Sequence, residues 1–168
     1  KSVKGEIEFK KEPNSWVTVK AGKSKFKLAG LTSDQFPPIR TSEDVSIALN
    51  SEIFTKMIKS VIFAITNEET RYTLSGANLE IKDGTARMVA TDGSRLSLIE
   101  TACNGEVSAL IPKKALIQAS KLPKGDINIA QDTNLLYFSS GSRNLTARKM
   151  SGQFPNYSSL LTQNFENE

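Results

Sequence analysis

The side chains best spaced for chemistry in this sequence are lysines, and the chemistry open to them is charge pairing with phosphate. Lys56 and Lys59 fall on the polar side of one predicted helix; Lys114 and Lys121, with Lys113 beside them, fall on the polar side of another. Surfaces of this kind hold a nucleic-acid backbone without reading its bases. Two sets of paired carboxylates, Glu6 with Glu8 and Glu68 with Glu69, are the other candidates, for acid–base or metal work. Neither set has a convergent partner, and both read as solvent-facing charge. The chain has no histidine and one cysteine, Cys103. This excludes Ser-His-Asp and Cys-His catalysis, histidine-ligated metal centres, an internal disulfide and any CxxC site. No GxxxxGK[ST] loop is present, and no GxGxxG follows a strand. The expectation is a protein without catalytic residues, metal or cofactor, with Cys103 as a small buried hydrophobe in a reducing compartment.

The elements that must position those lysines belong to an ordinary globular composition: 168 residues, 38% hydrophobic and 24% charged, enough to bury a core without a disulfide or metal staple. No apolar run approaches the roughly 20 residues that span a bilayer, which predicts a soluble protein. The net charge of +4 is unevenly spread: residues 1–40 hold nine Lys/Arg against four Asp/Glu, and residues 41–168 hold thirteen against fourteen. A second reading follows, in which residues 1–40 form a basic, sequence-nonspecific nucleic-acid-binding module whose grip includes Lys23, Lys25 and Lys27.

Alternation at period two over residues 5–9, 16–20 and 24–28, with turn residues between, predicts a three-strand antiparallel meander. The Pro37-Pro38 pair then predicts a linker. Beyond it come a strand over residues 45–49, Asn50 or Ser51 as helix N-cap, and Ile53, Phe54, Met57, Ile58, Val61 and Ile62 at helical spacing. Strands are predicted near residues 71–74, 87–90 and 95–100, with residues 75–78 among the breakers. The order then repeats: a strand over 107–111, Pro112 at the first helical position, a helix through Leu122, and strands near 126–130, 135–139 and 144–149. The fold class is α+β, two βαβββ halves with antiparallel sheets outside and two helices on one face.

A longer repeat runs across these elements. Lys4-Gly5-Glu6-Ile7 matches Lys124-Gly125-Asp126-Ile127, Gly22-Lys23 matches Gly141-Ser142, and Asp34-Gln35-Phe36-Pro37 matches Gly152-Gln153-Phe154-Pro155. Residues 1–40 therefore read as the last three strands and linker of an incomplete first domain, and residues 41–168 as a complete second copy. The expected parent protein is a tandem array of such domains.

Three segments, RYTLSG at residues 71–76, ATDGSRL at 90–96 and GQFPNY at 152–157, together with the stretch from Phe63 onward, resemble the bacterial sliding clamp family, the beta subunit of DNA polymerase III. The resemblance covers essentially the whole chain. It implies the DNA-clamp fold and a non-catalytic processivity factor of replication: a homodimeric ring around double-stranded DNA, without sequence preference, in the bacterial cytoplasm, close to the nucleoid during replication. Residues 1–40 would end the first of three domains and 41–168 form the middle one. The family's dimer contacts lie in the first and third domains, so this chain is expected to be monomeric. The same resemblance implies two sites. Lys56, Lys59, Arg71, Tyr72, Lys113, Lys114 and Lys121 would face DNA. Leu74, Thr91, Gly93, Ser94, Arg95, Leu96, Pro155, Ser159 and Leu160 would form the middle-domain half of a pocket. That pocket takes short motifs of the Gln-x-x-Leu-Phe kind from the polymerase alpha subunit, the clamp loader and repair proteins.

Overall fold

Alternating apolar residues build the first sheet. In the computed structural model, which describes residues 5–36, 47–68 and 72–161, with the side chains of Ser159 and Leu160 outside that description, strands β1 (Ile7–Lys11), β2 (Trp16–Ala21) and β3 (Ser24–Ala29) pair in that order, antiparallel. The β2–β3 turn closes on Gly22 at φ +59°, a left-handed conformation that glycine adopts without a Cβ penalty. Phe9, Val19 and Phe26 lie opposite one another across the three strands. They share a face with Ile7 and Leu28, and Phe9 is 71% exposed. The chain divides into two units, Lys1–Arg40 and Thr41–Glu168.

The second unit has the order β4 (Ile47–Asn50), α1 (Ser51–Val61), β5 (Gly76–Lys82), β6 (Thr85–Thr91), β7 (Leu96–Ala102), β8 (Val107–Pro112), α2 (Lys113–Ala119), β9 (Asp126–Gln131), β10 (Leu135–Ser140), β11 (Arg143–Arg148) and a short α3 (Ser158–Leu161). This is the expected pair of βαβββ halves, with α3 added. The halves interlock. One sheet runs β11-β10-β9-β4 and the other β7-β6-β5-β8, so each half's first strand completes the other half's sheet. The two crossings match: the Ser51 N–H at the start of α1 donates to the Gly125 carbonyl before β9, and the Lys113 N–H at the start of α2 donates to the Ser75 carbonyl before β5. Ser51 Oγ also accepts the Gly125 N–H at 3.1 Å.

Helix α1 starts where the Asn50 side chain accepts the N–H groups of Glu52 and Ile53, satisfying donors the first turn leaves unpaired. It buries Phe54, Met57, Ile58 and Val61 against strands of both sheets, the Phe54 ring lying 5.7 Å from that of Phe138. Helix α2 buries Leu116 and Ala119 and lies beside α1. One core cluster joins both helices and both sheets. The long repeat is preserved in pairing register. Ile129, Phe138 and Leu145 lie opposite one another in the second unit, as Phe9, Val19 and Phe26 do in the first, but Ile129 and Phe138 are buried.

Three elements differ from the sequence reading. Residues 72–74 form a 3-10 turn and not a strand, and the strand begins at Gly76, within residues read as breakers. Gly76 is small because the chain is crowded there: a Cβ on it would overlap the Ile111 carbonyl oxygen and the Met150 sulfur. Pro112 ends β8 and caps α2, its φ of −59° suiting either position, so it precedes the first helical residue. Helix α2 itself stops at Ala119, followed by tight-turn bonds from Lys121 N to Gln118 O and from Leu122 N to Ala119 O. Of the strand read over 45–49, residues 45 and 46 lie outside the described residues. No helix among the described residues is long and apolar enough to cross a membrane.

Candidate functional site

The sequence of α1 leaves Glu52, Lys56 and Lys59 exposed once its apolar stripe is buried. These residues, with Ser51, Thr55 and Ser60, form one wall of a groove of about 640 Å³; the other wall is Ser120, Leu122 and Lys124 from the turn after α2. Three lysines, one carboxylate and several hydroxyls line it, and Lys124 Nζ lies 3.3 Å from Glu52. Such a groove can hold phosphate by charge and by hydroxyl donation. Lys114 and Lys121 are exposed on α2 and the turn after it. Lys113 points elsewhere, its Nζ donating to Asn67 Oδ1 at 2.9 Å and to the Ile65 carbonyl at 3.4 Å. Tyr72 is exposed at the start of the 3-10 turn, and Arg71 lies outside the described residues. Lys124 was read in the sequence only as part of a repeat; its place beside a helix-terminating turn was the signal available.

A second constellation occupies the opposite side of the β7-β6-β5-β8 sheet. Ala86, Met88 and Ala90 of β6 face the core, so Arg87, Val89 and Thr91 face away from it. Thr91 is paired with Leu96 across the β6–β7 connection. The connection itself is held rigid: Thr91 Oγ1 donates to the Arg95 carbonyl at 2.7 Å and accepts the Gly93 N–H at 3.1 Å. The Asp92 carboxylate accepts the N–H groups of Ser94 and Arg95 and, at 2.9 Å, the Arg95 Nε. The Arg95 guanidinium, followed by the backbone N–H donors, holds the Asp92 carboxyl below its usual range. Gly93 takes φ +93°, which explains its residue type. Arg95 then projects over the Phe63 ring at 5.8 Å, and Ser94 and Arg95 line a polar cavity of about 420 Å³ with Asn67, Glu68 and Lys113.

Leu74 is half-buried at the end of the 3-10 turn, its carbonyl accepting the Thr66 N–H. Residues 150–157 pass beside this turn, Thr73 Cγ2 lying 2.8 Å from where a Cβ on Gly152 would sit. That segment carries Pro155, which is exposed, and leads to α3, where Ser159 and Leu160 lie with side chains outside the described set. The structure thus brings Thr91, Gly93, Ser94, Arg95 and Leu96 into one connection, and sets Leu74 beside the segment that carries Pro155.

Residues 48–156 match the family model for the DNA polymerase III beta subunit, central domain. The chain belongs to the DNA polymerase III beta subunit family. A beta sliding clamp of Staphylococcus epidermidis is 30% identical over 168 positions, covering 96% of this chain and 45% of that protein. A DNA polymerase sliding clamp from Bacillus subtilis superposes with a TM-score of 0.83 at 24% identity, over 94% of this chain and 44% of that one, a likeness of fold. The clamp from Bartonella birtlesii, solved bound to griselimycin, superposes with a TM-score of 0.76 at 27% identity over 88% and 43% of the two chains. The chain spans about half the length of the relatives it matches. The likeness of fold extends over both interlocked halves of the second unit.

Proposed function

We propose that this chain is part of a bacterial sliding clamp, a non-catalytic processivity factor, with residues 1–40 ending one domain and 41–168 forming the middle domain. One observation carries the reading: in a chain whose central domain matches the beta subunit family, α1 and the turn after α2 bound a single lysine-lined groove. In the assembled dimeric ring the helices face duplex DNA. Lys56, Lys59, Lys114 and Lys121, together with Arg71, Tyr72 and Lys113, contact the duplex and attract phosphates nearly uniformly along the axis, so the ring slides without hydrolysis. The opposite sheet face, through Leu74, Thr91, Gly93, Ser94, Arg95, Leu96, Pro155, Ser159 and Leu160, forms one half of a pocket for short peptide motifs of the polymerase alpha subunit, the clamp loader and other partners. The griselimycin-bound relative supports a ligand site in proteins of this fold. The work is cytoplasmic, at the replicating nucleoid, and the chain alone is a monomer.

The test is the salt dependence of binding to a fluorescent duplex. Each phosphate neutralised contributes about −0.9 to the slope of log K against log salt, so Lys56→Glu with Lys59→Glu should flatten the slope by about 1.8. Charge reversal at Lys23, Lys25 and Lys27 should change it little; Lys27 is already 3.3 Å from Glu12. The opposite pattern would establish residues 1–40 as the nucleic-acid-binding module instead.

A further inference from the structure

Phe63 lies in the 3-10 turn that follows α1 (Ile62–Ala64) and is 57% exposed, although Val61 and Ala64 beside it are fully buried. The group over its ring is the Arg95 guanidinium, 5.8 Å from the centroid. The same guanidinium donates its Nε to Asp92 Oδ2 at 2.9 Å. Two elements distant in sequence, the turn after α1 and the β6–β7 connection, therefore restrain one side chain. Stability does not account for this. The Arg95 side chain is 62% exposed, and an ion pair that open to water adds little to a fold. What the two contacts remove is rotamer freedom, which an exposed arginine otherwise keeps until it binds something. The Nε bond leaves the two terminal nitrogens of Arg95, and nothing among the described residues bonds them. The charges around the cavity that Arg95 lines are balanced, Arg95 and Lys113 against Asp92 and Glu68. A guanidinium has donors only, so the group it takes is an acceptor, and balanced surroundings favour a neutral carbonyl over a carboxylate.

We propose that Asp92 and Phe63 are positioning residues for the peptide pocket: together they hold the Arg95 guanidinium so that its terminal nitrogens receive an amide carbonyl of the bound segment. This rests on the peptide-pocket reading above. The connection that presents Thr91 and Leu96 also fixes the donor, since Thr91 Oγ1 donates to the Arg95 carbonyl at 2.7 Å and the Asp92 carboxylate accepts the Arg95 N–H at 3.1 Å. Backbone and side chain of Arg95 are thus both ordered before a ligand arrives, and binding is spared the cost of ordering them.

The experiment is an NMR shift titration of the chain with a synthetic Gln-x-x-Leu-Phe peptide, as free acid and as C-terminal amide. It is run on the parent, Asp92→Asn, Phe63→Leu, Arg95→Ala and the Asp92→Asn, Arg95→Ala double variant, with thermal melts of each. Asp92→Asn keeps an acceptor oxygen for the Ser94 and Arg95 N–H groups and loses the charged partner of Nε. Phe63→Leu keeps an apolar side chain and loses the ring face, so it decides the matter should Asp92→Asn fold poorly. The expected result is parent shifts at Leu74, Thr91 and Leu96, alike for both peptides. Asp92→Asn and Phe63→Leu should each weaken binding about threefold and Arg95→Ala about tenfold. In the Arg95→Ala background Asp92→Asn should cost nothing further, because a residue that acts through Arg95 then has nothing to position. An equal loss in both backgrounds, or single variants that titrate like the parent, overturns the positioning role. A strong preference for the free acid overturns the carbonyl assignment. Silence of the parent at millimolar peptide overturns the pocket reading, and this inference with it; that failure is visible in the unmodified chain and so is distinct from the others.

Discussion

Gly76→Ala should destabilise the second unit far more than its size suggests. Gly76 has no left-handed φ, so alanine meets no backbone strain there and would by itself stabilise the fold by about 0.4–1 kcal/mol through the unfolded chain. The added Cβ, however, would overlap the Ile111 carbonyl oxygen on β8 and the sulfur of Met150, which follows β11. The sulfur ends a flexible side chain and can move. The carbonyl belongs to the strand paired with β5 and cannot move without opening the ladder. Overpacking of this kind costs about 1–3 kcal/mol. The net loss of about 1–2 kcal/mol corresponds to a fall of about 4–10 °C in melting temperature for a domain of this size. Circular dichroism melts of the parent, Gly76→Ala, Met150→Ala and the double variant separate the two clashes. If the carbonyl dominates, the Gly76→Ala penalty persists in the Met150→Ala background. A melting temperature for Gly76→Ala within about 1 °C of the parent, or full rescue by Met150→Ala, would refute the reasoning.

Asn50→Ala removes the acceptor for two N–H groups of α1 and should cost about 1 kcal/mol in urea unfolding; an unchanged midpoint would show that α1 does not need this cap. Burial pushes the Cys103 thiol up from its ordinary value, so in the folded protein it should react with a disulfide reagent at pH 8 at least about 100-fold more slowly than in urea, and equal rates would place it at the surface. Asp92, held below the usual carboxylate range, has a folded pKa lower than its unfolded one. Its contribution is therefore present above about pH 4 and disappears as the pH falls through the lowered value. Asp92→Asn should be less stable than the parent at pH 7 with the gap closing in acid; a gap equal at pH 7 and at about pH 2.5 would contradict that origin.

Period-two and helical patterning made most of the second unit legible, because its strands carry one buried face and α1 carries a single apolar stripe. The interlock was not legible. Nothing local in Ile47, Leu49 or Ile111 says which half's sheet a strand will join, since that is decided by where the shared core closes. The start of β5 differs for a related reason: Gly76 looks like a turn residue in isolation and is small because the Ile111 carbonyl on β8 and the Met150 sulfur crowd it. The lysines of α1 followed from spacing, whereas Lys124 joined them through a tertiary contact with Glu52. Lys113 sits at the head of a basic helix in sequence, yet folding turns it toward Asn67.

The most direct test of the central claim is an NMR map of a short DNA duplex on this chain at low salt. Shifts should concentrate at Thr55, Lys56, Lys59, Ser120 and Lys124, lost at high salt and indifferent to base sequence, with Thr91, Leu96 and Tyr157 undisturbed. Shifts centred on Lys23, Lys25 and Lys27, or spread over the outer sheet face instead of the groove, would contradict it.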